Sequence, residues 1–332
     1  MNESVTIKPE ILMEVHDLVC HFTGPRTSIF GKRKVAHAVN GVSLELRSGE
    51  TLGLVGESGC GKSTLGLLIL NLIEPTSGTV TYLGQDITKV DKQEWRRLRS
   101  QMQLVFQNPL GALNPRLTIG AQIREPLDIH EIGDPDERPA KVLEMLDAVS
   151  LPVHLLDRYP HQLSGGQQQR VVIARALING PKLVVCDESV SALDVSVQAQ
   201  VVNLLADMQT KLGLTYLFIT HDLSVVRHIA SRIAVMYLGR IVELADSEDL
   251  IENPMHPYTK ALISAVPVPD PHARASRATI SGEPPNPFDP PSGCAFHTRC
   301  PHADAKCRSQ LPDFRQIGEN HMVACHHAEA LA

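Results

Sequence analysis

The sequence predicts an α/β fold with a mostly parallel sheet, an inserted helical subdomain and a Pro/Cys-rich C-terminal extension. Three observations lead there. Short apolar runs alternate with helical patterns through about the first 250 residues. One of these runs feeds a Gly-rich turn that opens a helix. From Pro254 onward, prolines and then cysteines crowd the chain. Alternating strand and helix implies a parallel sheet covered on both faces.

Taken in order, Glu14–Phe22 is the first strand-like run, followed by Leu52–Val55, Met102–Phe106, Leu183–Cys186, Tyr216–Ile219 and Ile233–Tyr237. The Gly-rich turn after Val55 precedes an apolar helix, Thr64–Leu72. Residues 108–177 look helical and more polar, with Val142, Met145, Leu146 and Val149 on one face. They interrupt the alternation, which predicts an inserted helical subdomain. Val197, Val201, Leu204, Leu205 and Met208 form an apolar stripe at helical spacing. After Pro254 the prolines predict extended connector and turns, because proline lacks the amide donor. A boundary is expected near residue 250.

Composition narrows the function. At 332 residues, 43% of them hydrophobic, the chain can hold one large domain with a full core plus an appendage. The net charge of -6 argues against a nucleic-acid binder. The longest strongly apolar stretch, Leu65–Ile73, falls short of the roughly 20 residues that a membrane span needs. Residues Met1–Glu14 carry acidic groups and no apolar core of signal-peptide type. These features predict a soluble, cytosolic chain whose membrane link runs through partners.

The chemistry centres on Gly56-Glu57-Ser58-Gly59-Cys60-Gly61-Lys62-Ser63-Thr64. This fits G-x-x-x-x-G-K-S between a strand and a helix, the context that the motif requires. Gly56, Ser58, Gly59, Cys60, Gly61 and Thr64 form the backbone cradle, and the helix N-terminus favours phosphate. Lys62 is placed to reach the β- and γ-phosphates and Ser63 to bind Mg²⁺. The strand Leu183–Cys186 ends in Asp187, suited to Mg²⁺, and Glu188, suited to orienting or deprotonating a water. Gln107, after the strand Met102–Phe106, is placed to sense Mg²⁺ or the attacking water. His221, after the strand Tyr216–Thr220, is placed to contact the γ-phosphate. Ser191-Ala192-Leu193-Asp194 reads as a helix cap. A second Gly-rich turn, Leu163-Ser164-Gly165-Gly166-Gln167, also opens a helix. One nucleotide needs one cradle; two half-cradles suggest two copies closing face to face around ATP.

Together these residues resemble the ATP-binding subunit of an ABC transporter over residues 12–250, with 251–332 as an extension. The markers run in the family's order: Walker A at 56–63, Q-loop Gln107, signature 163–167, Walker B at 183–187, Glu188, D-loop 191–194 and switch His221. The resemblance implies a P-loop NTPase (RecA-like) core with an antiparallel β part. It also implies ATPase activity, with Ser164, Gly165, Gly166, Gln167 and Asp194 contributing to ATP held across a dimer. Phe22 is the expected adenine-stacking residue, with Phe30 the alternative. Ser189 departs from the proline that the family often has after the glutamate.

A finer resemblance lies in Asn253–Leu262, Glu57–Lys62 and Ala192–Gln200, which are similar to oligopeptide and dipeptide importer ATPases. It implies a second homologous ATPase subunit, two transmembrane permeases and an extracytoplasmic peptide-binding protein, at the cytoplasmic face of a bacterial membrane. Nickel and glutathione importers share this architecture. Ala265–Pro271 resembles the F-type subunit rather than the D-type. Cys294, Cys300, Cys307 and Cys325 form a cluster in which disulfides are not expected in a reducing cytosol. Four thiolates can hold zinc or an iron-sulfur cube. The spacings are wider than usual zinc pairs and resemble the [4Fe-4S] site of this importer group, with Zn²⁺ or free thiols as alternatives. A metal staple would help a small, Pro-rich extension fold.

Overall fold

The computed structural model describes residues 10–26, 33–191, 193–266 and 282–331. Phe30 and the segment Pro267–Pro271 therefore lie outside the described residues.

Two sheets organise the chain. A four-stranded antiparallel sheet has the order β2-β1-β4-β5, from β1 (Ile11–Arg26), β2 (Arg33–Arg47), β4 (Ser77–Tyr82) and β5 (Gln85–Asp86). The larger sheet contains β3 (Thr51–Val55), β6 (Met102–Val105), β7 (Leu183–Asp187), β8 (Thr215–Thr220) and β9 (Arg232–Tyr237), all parallel to their neighbours in that set. It continues through β10 (Arg240–Asp246), β11 (Arg315–Gly318) and β12 (His321–Val323), in the order β11-β12-β10-β9-β3-β8-β7-β6. Every residue of β3 and β8 is buried, as expected of central strands sandwiched between layers. One face packs on the helical insertion and the helix Val195–Leu212; the other packs on the antiparallel sheet and the helix Lys62–Ile69.

The apolar patterns land where periodicity puts them. Val201, Leu204, Leu205 and Met208 are buried, and their helix ends at Gly213 in the left-handed region (φ +63°), where a side chain is disfavoured. Val142, Leu146 and Val149 are buried in the insertion. Two boundaries shift. The first helix starts at Lys62 rather than Thr64, because Gly61 takes the positive φ that lets it begin there. β6 stops at Val105, leaving Phe106 48% exposed.

The stretch after Pro254 is more structured than connector and turns. Pro257 takes the first turn of the helix Pro257–Ser264, where its missing amide costs nothing. β12 pairs antiparallel with β10 (Glu243 with Val323, Leu244 with Met322), so this segment extends the main sheet. Tyr258 and Phe296 enter the main hydrophobic core, at 0% and 2% exposure. The prolines punctuate this structure without preventing it.

Candidate nucleotide-binding and hydrolysis site

The site forms at the carboxyl ends of adjacent parallel strands, the usual ligand edge of an open α/β sheet. β3 delivers the loop 56–61, β6 leads to Gln107, β7 ends in Asp187 with Glu188 next, and β8 leads to His221.

Two glycines in the loop are obligatory. A Cβ on Gly56 (φ +154°) would lie 2.2 Å from the Met236 carbonyl oxygen, and one on Gly61 (φ +108°) 2.1 Å from that of Ala38. Lys62 is 4% exposed, and its Nζ donates to the carbonyls of Gly56 at 2.8 Å and Glu57 at 3.0 Å. It also contacts Cys60 Sγ at 3.9 Å. An ammonium held by two neutral carbonyls and a weak thiol acceptor is ready to exchange them for phosphate oxygens. Cys60 is buried behind the loop, and burial pushes its thiol up, against the lowering effect of Lys62. Ser58 and Gly59 are exposed at the loop's tip, and Thr64 is half-buried in the helix.

Ser63 Oγ donates to Asp187 Oδ1 at 2.8 Å. Burial pushes the Asp187 carboxyl up, with the Ser63 hydrogen bond and Lys62 opposing and Glu188 adding to the rise. Gln107 Nε2 donates to Glu188 Oε2 at 3.0 Å, while His221 Nδ1 lies 3.6 Å from Glu188 Oε1. Glu188 adopts φ +45°, a left-handed conformation that costs a non-glycine residue energy and persists where the surroundings impose it. Its amide donates to the Ile219 carbonyl at 2.9 Å, and its carbonyl accepts from Ser191 N at 3.1 Å and Ser191 Oγ at 2.9 Å. These bonds fix the turn at buried Ser189 without a proline ring.

The signature segment is gathered elsewhere. Ser164 caps the helix Gly165–Leu177: its Oγ accepts from Gln167 N, and Gln167 Oε1 accepts from Ser164 N at 3.0 Å, a reciprocal capping box. Gly165 faces Leu193, and a Cβ on Gly166 would lie 2.6 Å from Val197 Cγ1. Asp194 caps the next helix by accepting from Val197 N at 3.0 Å. Hydrogen bonds from Val197 and Ser196 hold its carboxyl below the usual range. Among the described residues, no hydrogen bond joins 163–167 to the loop 56–63. The two Gly-rich turns of one chain thus stand apart. Phe22, on β1 opposite Ala36, is 47% exposed.

Cys294, Cys300, Cys307 and Cys325 line one small cavity of about 10 Å³, together with His297, His302, His326 and His327. Burial raises all four thiols, Cys294 to about 11. Among the described residues, the only three metal-type ligand atoms within 4.8 Å of one another come from Asp304, Cys307 and His327. Asp304 was not picked out from the sequence; it caps the short helix that carries Cys307 by accepting from the Cys307 amide at 2.8 Å. Also missed were Arg299 and Tyr258, which reach the phosphate loop at Glu57. No spacing rule links residues so far apart in sequence.

A phosphate loop, a strand-end carboxylate pair and a polar ring around the second carboxylate define a P-loop nucleotide hydrolase. Residues 39–191 match the ABC transporter family, and residues 242–307 match the oligopeptide/dipeptide transporter C-terminal region. The chain is 49% identical over 322 residues to the oligopeptide transport ATP-binding protein AppF of Bacillus subtilis, covering 96% of this chain and 97% of that one. It is 48% identical over 320 residues to the di/tripeptide transport ATP-binding protein DppF of Pseudomonas aeruginosa, covering 96% and 98%. The ATP-binding cassette MJ0796, solved as a dimer bound to ADP and Pi, superposes with a TM-score of 0.64 at 30% identity over 71% of this chain and 99% of that one. The chain belongs to the oligopeptide/dipeptide group of ABC transporter ATP-binding proteins.

Proposed function

We propose that this chain hydrolyses ATP to power the import of oligopeptides or dipeptides through partner permeases. The convergence of Ser63, Asp187, Gln107, Glu188 and His221 at one sheet edge carries the ATPase reading. The peptide assignment rests on the relatives and on the matched C-terminal region.

In this reading Lys62 and the loop amides hold the β- and γ-phosphates. Ser63 and Asp187 would hold Mg²⁺, which supplies charge neutralisation on the phosphate oxygens. Glu188, oriented by Gln107 and His221, takes the proton of the attacking water. Ser164, Gly165, Gly166 and Gln167, with Asp194 nearby, complete the site of a second ATPase subunit. That partner is a homologous subunit in a heterodimer, this chain being the F-type member. Phe22 stacks on adenine. Residues 12–250 act as the cassette and 251–332 as the importer-type extension. No helix among the described residues is long and apolar enough to cross a membrane. The chain works peripherally at the cytoplasmic face, with two permeases and an extracytoplasmic peptide-binding protein.

The four cysteines would hold a [4Fe-4S] cluster. The four thiols line one cavity, which supports a shared group among them. Iron and acid-labile sulfide analysis of anaerobically purified protein tests this, stoichiometric zinc being the contrary result. For the transport reading, the test is ATP-driven uptake of labelled peptide by the complex in liposomes. Uptake should vanish with Glu188→Gln; movement of nickel or glutathione instead of peptide would change the solute.

A further inference from the structure

Glu57 is the first variable residue of the phosphate loop, and its partners come from the extension. Its carboxylate accepts from Arg299 Nη1 at 2.8 Å and Nη2 at 3.0 Å, a bidentate pair. Its backbone amide donates to the Tyr258 hydroxyl at 2.9 Å. The Arg299 side chain is 5% exposed and that of Glu57 26%. The guanidinium also lies over the Tyr237 ring, 5.9 Å from its centre, and Tyr237 ends β9. Tyr237, Tyr258 and Phe296 pack as one aromatic cluster, with ring centres 4.7–5.4 Å apart. Arg299 itself belongs to the cysteine turn: its amide donates to the Phe296 carbonyl, and Cys300 follows it.

We propose that Arg299 and Tyr258 are positioning residues for nucleotide binding. They hold Glu57 from both its main chain and its side chain, so that the phosphate loop is shaped by the fold of the cysteine turn. The inference rests on reading 56–63 as the ATP cradle. A loop whose first variable residue is gripped at three points loses less freedom when phosphate arrives. The coupling is reciprocal: ATP must stabilise the cysteine turn as much as that turn favours ATP.

The experiment measures ATP affinity and thermal stability of the purified full-length chain, with hydrogen exchange at residues 294–300. Wild-type protein and Lys62→Ala come first; failure of wild-type protein to bind ATP sinks the reading of the cradle itself. With that reading standing, Arg299→Ala is expected to weaken ATP binding about tenfold, as a coupling of ordinary size would. Arg299→Lys should recover part of the loss. Glu57→Gln should weaken binding similarly, and the double variant should be little worse than either single one. Tyr258→Phe, which removes only a hydroxyl, should weaken binding a few-fold and serves if Arg299→Ala fails to fold. ATP should slow exchange at 294–300 in wild-type protein and not in Glu57→Gln. In the assembled transporter Arg299→Lys and Tyr258→Phe should raise KM for ATP and leave kcat. Wild-type affinity in both Glu57→Gln and Tyr258→Phe, or strictly additive losses, would overturn the proposal.

Discussion

At the residue scale, the proposed chemistry turns on the left-handed Glu188. A glutamate at φ +45° is strained, and the bonds from Ser191 and to Ile219 hold it there with its carboxylate between Gln107 and His221. Removing the carboxylate charge in Glu188→Gln should cut ATP turnover at least about 10²-fold, the scale of a general base, while ATP binding persists. Turnover of the assembled complex at the normal rate would contradict the role. Gly166 gives a second test. The Gly-rich signature marks the helix start in the sequence, yet the reason for its second glycine is packing as well: a Cβ meets Val197 at 2.6 Å. Gly166→Ala should cost about 1–3 kcal/mol of stability, an overpacking penalty readable by denaturant melts. The motif residues were legible because each needs a particular side chain, or none, beside a strand end. Arg299, Tyr258 and Asp304 were not, because only the fold brings them to Glu57 or Cys307.

At the element scale, the strands and long helices followed from periodicity, while the tail hairpin did not. β11 and β12 are short and partly exposed, so no apolar run announces them. What anchors them is a buried polar group. His321 Nε2 donates to Glu243 Oε1 at 2.8 Å and Nδ1 to Asp249 Oδ2 at 2.7 Å, joining β12 to β10 and the following helix. Burial alone would lower the His321 pKa; the two carboxylates overcome that and raise it. The folded protein then binds its proton more tightly than the unfolded chain. That stabilisation is complete below the ordinary value of 6.5 and is lost as pH rises through the raised one. The melting temperature should fall over that interval, and His321→Gln should flatten this part of the profile. Phe296 is the apolar counterpart. Its ring packs on Tyr237, Tyr258 and His256, and Phe296→Ala should cost about 3–5 kcal/mol in equilibrium unfolding. A cost under 1 kcal/mol would mean that the extension folds apart from the main core.

At the scale of the whole molecule, the phosphate loop and the signature segment do not meet among the described residues. The loop 56–63 bonds to Asp187 and to the extension, while the signature 163–167 bonds to itself and to the adjoining Pro160 and Gln168, and packs on Leu193 and Val197. Counting cradles in the sequence led to the expectation of dimer closure; the chain that would supply the opposite half is a matter of partner sequences. The cysteines illustrate the same division. Their clustering in sequence foretold their meeting around one cavity, but not the aromatic cluster and Arg299 that tie them to the phosphate loop. A nucleotide enclosed by two subunits needs the signature of one and the phosphate loop of the other. The most direct measurement is ATP turnover of the assembled transporter carrying Ser164→Arg in this chain, beside ATP binding by the isolated variant. Turnover should collapse while this chain's own loop still binds ATP; undiminished turnover would mean that the nucleotide is not shared between subunits.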